Sequence, residues 1–289
     1  MKVLLTGAAG QLGGTITTTW ADCADVVAVD RGALDVTDVT AVRSLVARER
    51  PAAIVNCAAY NDVDGAEDHP VEALGANAMA VRALAAAAAS HGAILVHYGS
   101  DFVFDGAASA PYREEDEPAP RSVYAASKLL GEWFAATAPR HYVLRVASLF
   151  GGAGRRSQID RIADGLQRGQ RPRVFVDRTV TPSYAPDVAD VTWRLITGGA
   201  EPGLYHCASS GPTTWFALAV EIARQLGVPP DLTPVSVADV VLRARRPQYA
   251  ALATDRLAAA GIAMPSWQDA LSRHLQWTVG VTLRDHRFA

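Results

Sequence analysis

The sequence predicts an α/β protein built on a doubly wound parallel sheet, and three observations lead to that prediction. Short apolar runs alternate with helical segments through the first half of the chain. These runs are apolar throughout rather than at every second position, which is typical of strands buried on both faces of a parallel sheet. A glycine-rich turn, Thr6-Gly7-Ala-Ala-Gly10-Gln-Leu-Gly13, directly follows the first run.

The predicted elements of the first half alternate strictly. Strands are predicted at 2–5, 25–29, 53–57, 94–98 and 142–145, and helices at 11–20, 38–49, 71–91 and 124–136. Asp38 is a suitable N-cap for its helix, and Pro51 ends that helix. Successive βαβ units of this kind predict a Rossmann-type sheet with helices on both faces.

The alternation loosens after Gly151-Gly152. Helices are predicted at 158–168, 186–196, 215–226, 254–260 and 267–277, and short strands near 174 and at 204–206. We expect residues 1–150 to form the sheet domain and residues 151–289 to form mainly a smaller C-terminal α/β lobe, with the part around 184–206 returning to the sheet. A cleft between this lobe and the carboxyl edge of the sheet is the expected ligand position.

Composition and charge exclude several classes of protein. The 289 residues are 49% hydrophobic and 20% charged, which is enough to bury a full core, and the net charge is −3. No basic cluster is accompanied by an aromatic stripe, so a nucleic-acid partner is not expected. For the short groups Arg155-Arg156 and Arg243 to Arg246, a solvated loop and an anion contact are equally good interpretations.

The cysteines and the N-terminus indicate a compartment. Cys23, Cys57 and Cys207 are far apart and form no Cys-x-x-Cys pair, so neither a disulfide framework nor a metal site is predicted. The apolar run after Met1 is too short for a signal peptide, and we expect no apolar stretch of membrane-spanning length. These features predict a cytoplasmic protein without membrane contact.

The glycine-rich turn predicts a dinucleotide site. Gly7 permits the tight turn, Gly10 lets the backbone approach a phosphate, and Gly13 lets the helix pack closely on the strand. A helix N-terminus in this position binds the pyrophosphate of a dinucleotide. A merely tight βα turn is the alternative, which the flanking strand and helix make the weaker one. Residues 1–150 are therefore predicted to be the dinucleotide-binding domain. The residues predicted at the pyrophosphate are Gly7, Gly10, Gln11, Leu12 and Gly13.

The residues after the second strand bear on which cofactor is bound. Asp30 can accept hydrogen bonds from both ribose hydroxyls of NAD, whereas Arg31 can pair with the 2′-phosphate of NADP. The two side chains favour different cofactors, so both NADPH and NADH remain candidates. Other residues at strand or loop ends face the same crevice, although turn chemistry explains them nearly as well. They are Asp35, Val36, Ala58, Ala59 and Tyr60.

Tyr124 and Lys128 stand four residues apart on one face of a predicted helix. A tyrosine has an unperturbed pKa of about 10, and a nearby ammonium group lowers it, so Lys128 could make Tyr124 an acid for a ketone. Lys128 could also hold the nicotinamide ribose. Ser100, after the fourth strand, could donate to the substrate carbonyl or serve only as a helix cap. On its own, the Tyr124 and Lys128 pair would indicate a solvent-exposed helix face. The glycine-rich turn earlier in the chain favours a catalytic role for the pair.

Five ordered motifs resemble the dTDP-4-dehydrorhamnose reductase family within the extended short-chain dehydrogenase/reductase superfamily. The resemblance spans nearly the whole chain. The motifs are 56–67, 100–106, 123–132, 177–182 and 203–206. This resemblance implies a Rossmann-type domain, NADPH or NADH as cofactor, and reduction of the 4-keto group of a nucleotide-linked deoxysugar. It also implies Ser100, Tyr124 and Lys128 as the catalytic triad.

The resemblance assigns the substrate end to six residues, which are Asn61, Val63, Phe102, Ser148, Arg178 and Arg246. Several of them depart from the family pattern. The family usually has a tyrosine at Phe102, a tryptophan at Ser148, a threonine at Asn61 and a glutamine at Arg178. The cofactor and catalytic positions match while the sugar positions partly do not. We therefore expect the reaction type to be shared and the sugar to differ or to be less strictly selected.

Two other functions remain open at this point. One is reduction of another carbonyl substrate, and the other is a non-catalytic NADP-binding subunit, since the family resembles the regulatory subunit of methionine adenosyltransferase. The complete set of Ser100, Tyr124 and Lys128 favours an enzyme. A homodimer is one option for assembly. For the remaining titratable groups, His97 and His206 are interpreted as core histidines and the acidic run 114–116 as a solvated loop.

Overall fold

The computed structural model describes residues 1–152 and 157–285, so Arg155 and Arg156 lie outside the described residues. The strands, in chain order, are β1 (Lys2–Thr6), β2 (Asp25–Val29), β3 (Ala53–Asn56), β4 (Ile94–Ser100), β5 (His141–Val146), β6 (Arg173–Phe175), β7 (Thr179–Val180), β8 (Gly203–His206), β9 (Thr213–Thr214) and β10 (Thr233–Val235). The helices are α1 (Gln11–Thr19), α2 (Val39–Glu49), α3 (Gly65–Asp68), α4 (Pro70–Leu74), α5 (Ala80–His91), α6 (Val123–Ala135), α7 (Gln158–Gln167), α8 (Ala185–Gly198), α9 (Trp215–Leu226), α10 (Asp255–Ala259) and α11 (Trp267–Asp285).

A six-stranded parallel sheet forms the centre of the molecule, in the order β2-β1-β3-β4-β5-β8. The chain leaves β1 toward β2 on one side and returns to β3 on the other. The strand order therefore reverses at β1, and a crevice opens at the carboxyl ends of β1 and β3. This confirms the predicted Rossmann-type fold and fixes the position of the ligand cleft.

Helices cover both faces of the sheet because alternate residues of each strand point to opposite faces. Val3 and Leu5 of β1 pack with side chains of α1 and α8. Leu4 packs on the other face with side chains of α2 and α5. Burial of both faces explains why these strands are apolar throughout, as predicted.

The C-terminal lobe has its own core of side chains from α7, α9 and α11. Two small sheets border it, one pairing β6 with β10 in parallel and the other pairing β7 with β9 antiparallel. The sequence did not predict β7, β9 or β10, because strands of two or three residues depend on tertiary pairing rather than on a local pattern. Residues 185–206 return to the large sheet: β8 pairs with β5, and α8 packs on one face.

The predicted helix 71–91 is interrupted by a π-helical segment at Gly75–Met79, between α4 and α5. The stretch Pro70–His91 is long and apolar enough to cross a membrane by length and composition alone, although Glu72 and Arg82 interrupt its apolar sequence. Its alanines explain the composition, since the buried side of α5 packs on the sheet. A mostly buried helix of this kind is weak evidence for a membrane span.

Candidate active site

Two adjoining cavities lie at the carboxyl edge of the sheet. The β2 cavity, about 650 Å³, extends from the ends of β1 and β2 to α4. The β4 cavity, about 410 Å³, lies between the end of β4, α6 and the C-terminal lobe. Gly10 and the loop Cys57–Ala59 line both cavities. Together the two cavities form one elongated cleft with room for a cofactor and a substrate.

The turn between β1 and α1 is shaped to receive a phosphate. Gly7 has a φ of +71°, and a Cβ there would collide with the backbone of Cys57 and Ala58. A Cβ on Gly13 would collide with the carbonyl of Gly7, so the third glycine permits the close packing of helix on strand. Gly10 is the N-cap of α1, no side chain caps this helix, and its first turn holds no acidic residue. The helix N-terminus therefore fits an anionic group.

Asp30 and Arg31 both line the β2 cavity, together with Asp35 and Val36. One carboxylate oxygen of Asp30 accepts a hydrogen bond of 3.0 Å from the backbone N–H of Ala33. Asp35 accepts from the hydroxyl and backbone N–H of Thr37, and these bonds lower the pKa of its carboxyl group. Both carboxylates thus have a turn-forming role and also face the cavity.

A network of buried polar groups fixes the loop that contains Ala58, Ala59 and Tyr60. The side-chain oxygen of Asn56 accepts from the hydroxyl of Thr6 at 2.7 Å and from the N–H of Ala58 at 3.2 Å. Asn77, in the π-helical segment, accepts from the N–H of Tyr60 and donates to its carbonyl. Asn77 also donates to the hydroxyl of Ser127 on α6. The π-helical segment therefore connects the cofactor loop to the helix of Tyr124, as π-bulges often do at functional sites.

Ser100 and Tyr124 meet in the β4 cavity. The Ser100 hydroxyl donates to Asp101 Oδ1 at 3.2 Å and accepts from the N–H of Phe102 at 3.2 Å, and it has a lowering effect on the pKa of the Tyr124 phenol. Phe102 contacts the Tyr124 ring edge-to-face, with 5.8 Å between ring centroids. Burial raises the pKa of Tyr124 to about 12, and the nearby Asp101 carboxylate adds to this rise. The expectation that Lys128 would lower this pKa is wrong, because burial sets the direction and the Lys128 charge is not among the effects on Tyr124.

Lys128 lines the same cavity but is held by β4 rather than by Tyr124. Its Nζ donates to the carbonyl oxygen of Tyr98 at 2.6 Å. Burial lowers the pKa of Lys128 to about 8, and the carboxylate of Glu132, one helical turn on, partly offsets this effect. Glu132 forms a buried ion pair with Arg145 of β5 at 2.8 Å. The ammonium group is therefore fixed at the floor of the cavity, close to Ser100.

Asp101 is a buried residue of the β4 cavity that the sequence reasoning did not select. It follows Ser100 directly, and its place in the family motif 100–106 is the only feature of the sequence that points to it. Trp215 lines the same cavity from the start of α9, and the sequence gives no local signal for it, since only the tertiary fold brings α9 to the cleft.

The substrate end of the β4 cavity contains five of the six predicted residues. They are Asn61, Val63, Phe102, Ser148 and Arg178. Ser148 has a φ of +44°, a strained conformation for a residue with a Cβ. The loop carrying it is tied to the glycine-rich turn, because Gln11 Nε2 donates to the carbonyl of Gly151 at 2.7 Å. A direct hydrogen bond thus joins α1 to the loop that follows β5.

Arg246 is the predicted substrate residue that the structure places elsewhere. Its guanidinium forms a bidentate ion pair with Asp64, with N–O distances of 2.8 and 2.7 Å, and it is absent from the residues lining the two cavities. One guanidinium nitrogen of Arg243 pairs with Oδ1 of Asp68. We call the segment 236–248 the strap. Two of the three arginines of the strap thus pair with carboxylates, whereas Arg245 is exposed.

Three further titratable side chains are buried in the fold. His97 and His206 are buried, as predicted, and burial lowers the pKa of His206 to about 3. Glu114 is also buried and accepts from the N–H of His206 at 2.8 Å, which corrects the expectation of a solvated acidic loop. Its neighbours Glu115 and Asp116 are exposed. The carboxylate is buried because the backbone of β8 supplies its hydrogen bond.

Comparison with known proteins identifies the family. Residues 1–279 match the model described as the RmlD substrate binding domain. The chain belongs to this family. A dTDP-4-dehydrorhamnose reductase from Streptomyces griseus is 38% identical over 93% of this chain and 91% of its own length. A probable dTDP-4,6-dihydroxy-2-methyloxan-3-one 4-ketoreductase from Streptomyces antibioticus is 40% identical over 94% of this chain and 93% of its own length.

Solved structures of the family have the same fold. A dTDP-4-dehydrorhamnose reductase from Clostridium acetobutylicum superposes with a TM-score of 0.91 at 34% identity, covering 96% of this chain and 99% of its own. A second, from Bacillus anthracis, was crystallised in complex with NADP and has a TM-score of 0.90 at 31% identity, covering 95% of this chain and 98% of its own. The family resemblance found in the motifs therefore extends to the whole fold.

Proposed function

We propose that this protein is an NAD(P)H-dependent reductase of the 4-keto group of a dTDP-linked 6-deoxysugar. The observation that carries the proposal is the convergence of the glycine-rich turn with Ser100, Tyr124 and Lys128 in one cleft. Relatives named dTDP-4-dehydrorhamnose reductase, 38% and 35% identical over most of this chain, support the same activity. The intact triad favours an enzyme over a non-catalytic regulatory subunit.

The β2 cavity is the proposed site of the nucleotide cofactor. The N-terminus of α1 would hold the pyrophosphate, Asp30 or Arg31 the adenosine ribose, and the loop of Ala58 and Ala59 would border the middle of the cofactor. When bound, the reduced nicotinamide supplies the hydride that the carbonyl carbon accepts. The NADP complex of the Bacillus anthracis relative supports this assignment.

The protein's own part in the reaction is to polarise the carbonyl and to supply a proton. Ser100 donates a hydrogen bond to the carbonyl oxygen, which stabilises the negative charge that develops there. Tyr124 transfers its phenolic proton to that oxygen. Lys128, which its hydrogen bond to Tyr98 fixes in the same cavity, would hold the nicotinamide ribose.

A second sugar is a specific alternative substrate. The relative from Streptomyces antibioticus, at 40% identity, is named for a different dTDP-linked ketone from the dehydrorhamnose enzymes. Phe102 and Ser148 are both smaller or less polar than the usual family residues, so the wall of the sugar site differs at two positions. We propose that the nucleotide end is recognised as in the family and that the ring is selected less strictly.

The proposed function is tested by following oxidation of NADPH and NADH with several dTDP-4-keto-6-deoxysugars and with a simple ketone that lacks the nucleotide. We expect turnover with the nucleotide sugars and much less with the simple ketone. Equal efficiency with the simple ketone would contradict nucleotide recognition. Failure of all carbonyl substrates, with either cofactor, would contradict the reductase assignment.

We further propose that residues 1–150 provide mainly the cofactor site and residues 151–289 mainly the substrate site, in a cytoplasmic enzyme. Arg178 and Trp215, which line the β4 cavity from the C-terminal lobe, support this division. A homodimer is proposed on the basis of exposed apolar side chains on the neighbouring elements α4 and α6, namely Val71 and Trp133. Light scattering of the native protein and of Trp133→Ser tests the dimer, and a monomeric native protein would contradict it.

A further inference from the structure

The proposed proton donor, Tyr124, lies in the first turn of α6. The helix begins at Val123, and its N-cap is Ser122, whose hydroxyl accepts from the N–H of Ala125 at 3.2 Å. The first four N–H groups of a helix have no partner within it, and helix ends fray. A side chain in the first turn is therefore positioned only as well as that turn is held.

A carboxylate from another part of the chain holds this turn. Glu67 of α3, which is half-buried, accepts a hydrogen bond of 2.9 Å at its Oε1 from the N–H of Val123, the residue directly before Tyr124. The first turn of α6 contains no acidic residue, so Glu67 also places a negative charge at the helix N-terminus. A hydrogen bond to a charged acceptor is stronger than one between neutral groups.

The same short helix also packs beside the ring of Tyr124. Ala66 of α3 is fully buried and belongs to one small apolar cluster with Ala73 of α4 and Tyr124. Val63, just before α3, packs on this cluster and lines the β4 cavity. The hydrogen bond from Glu67 therefore fixes the backbone next to Tyr124, and the packing confines its ring.

The strap holds α3 on its other side. Asp64, the N-cap residue of α3, forms the bidentate ion pair with Arg246, and Asp68, the last residue of α3, pairs with Arg243. The Arg246 pair is the better shielded from water, because that side chain is 16% exposed and the Arg243 side chain 63%. Glu67 lies between the two paired carboxylates, so the backbone that carries it is fixed.

We propose that Glu67 is a positioning residue for the reduction, which holds the first turn of α6 and with it the phenol of Tyr124 toward the substrate. Glu67 is not among the described residues that line the two cavities, so it acts through Val123 rather than on the substrate. A displacement of about 1 Å in a reacting group can cost roughly 10²-fold in rate. This inference rests on the proposed role of Tyr124 as proton donor.

The test compares Glu67→Gln with Glu67→Met, two side chains of similar length of which only glutamine keeps an oxygen that accepts from Val123. In Glu67→Met, kcat should fall by about tenfold or more, because the first turn of α6 loses its partner. The affinity for NADPH should stay nearly unchanged, because the β2 cavity is not altered. Glu67→Gln should keep most of the native kcat. An equal loss of kcat in both variants, or no loss in Glu67→Met, would overturn the inference.

Asp38→Ala is the matched control for a general loss of stability. Asp38 caps α2 by accepting from the N–H groups of Thr40 and Ala41, and it is not among the residues that line the two cavities. Its loss should lower the melting temperature and leave kcat at the native value. If Asp38→Ala lowered kcat as much as Glu67→Met does, the effect at Glu67 would be one of stability, and the inference would fail.

Hydrogen exchange at the start of α6 measures the role of Glu67 without any substrate. The backbone amides of residues 122–126 should exchange faster in Glu67→Met than in the native protein or in Glu67→Gln, while those of β4 keep their native rates. Native exchange rates in Glu67→Met would overturn the inference. If exchange changed as expected but the native protein reduced no carbonyl substrate, the hold of Glu67 on α6 would be established and the proposed function would fail.

Discussion

Lys128 donates a hydrogen bond of 2.6 Å from its Nζ to the carbonyl oxygen of Tyr98, which joins α6 to the central strand β4. Both side chains are buried. The ammonium group is thus held under the cleft before any ligand binds. Its burial carries a free-energy cost, because the pKa of Lys128 falls from 10.5 to about 8.

Lys128→Met should therefore stabilise the fold while it abolishes most activity. Below about pH 8 the lysine is charged in both folded and unfolded states, and removing it should raise the free energy of unfolding by about 1–3 kcal/mol, allowing for the lost hydrogen bond. Between about pH 8 and 10.5 the folded lysine loses its proton first, so the native protein gains stability and the difference disappears.

Chemical denaturation of the Lys128 variant at several pH values measures this effect. The other lysine of the chain, Lys2, has a half-exposed side chain paired with Glu49. Lys2→Met is the matched control and should change stability little at any pH. A Lys128→Met variant less stable than native at pH 7 would show that the hydrogen bond to Tyr98 outweighs the burial cost.

Tyr124→Phe should lower turnover by roughly 10²- to 10⁴-fold, the usual contribution of a positioned proton donor. Cofactor affinity should stay nearly unchanged, because the ring and its edge contact with Phe102 remain. Tyr142→Phe removes a buried phenol that hydrogen-bonds to Ala200 away from the cleft, and serves as control. Steady-state kinetics decide the point, and turnover within a few-fold of native would assign the proton to another group.

The sequence predicted the large sheet well because its signals are local. Apolar runs, the Asp38 cap and the glycine turn each depend on neighbours in sequence, and the strand that ends at Val29 begins and ends as predicted. Short strands in the C-terminal lobe were missed because each is defined by its partner. The same reason applies to the strap, because Arg246 pairs with Asp64, which lies 182 residues earlier in the sequence.

Within the site, the sequence predicted well which residues lie at one cavity. It predicted less well which hydrogen bonds those residues form and how their pKa values shift. Tyr124 and Lys128 do lie on one helix face at one cavity. Their spacing could not reveal that the Lys128 ammonium is bound to Tyr98 or that burial would raise the pKa of Tyr124. Desolvation is a property of the whole fold, so a pattern of two residues does not contain it.

Arg31→Ala should weaken NADPH binding more than NADH binding. Arg31 lines the β2 cavity beside Asp30 and can pair with a 2′-phosphate that NADH lacks. Loss of one charge-assisted contact of this kind is worth about 1.5–3 kcal/mol, or roughly 10- to 150-fold in affinity. Calorimetric titration of both cofactors measures the ratio. An equal loss for the two would remove Arg31 from the 2′-phosphate.

The ion pair between Arg246 and Asp64 predicts that the two residues act as one unit. Arg246→Ala and Asp64→Ala should each raise the KM of the nucleotide sugar by a similar, modest factor, because each breaks one of the two ion pairs that hold the strap to residues 64–68. The double variant should be no worse than either single one, with a coupling energy of about 0.5–3 kcal/mol. If Arg246→Ala alone raised KM strongly, the guanidinium would have to leave Asp64 and bind the diphosphate.

Phe102 and Ser148 should control which sugar is reduced. Both line the β4 cavity, and Phe102 contacts the ring of Tyr124 directly. The double substitution Phe102→Tyr with Ser148→Trp restores the phenol and the aromatic wall usual in the family. Because Ser148 has a φ of +44°, the bulkier tryptophan adds to the backbone strain at this position.

We expect this double variant to favour the dehydrorhamnose substrate over other dTDP-4-keto sugars by about tenfold more than the native enzyme does, the scale set by one or two pocket contacts. The measure is the ratio of kcat/KM values for the competing sugars. Turnover of a simple ketone, which does not reach the sugar wall in the same way, controls for general damage to the site. Trp215 lines the same cavity as Ser148 although it lies far from it in sequence. An unchanged ratio would mean that Trp215 already provides the aromatic wall.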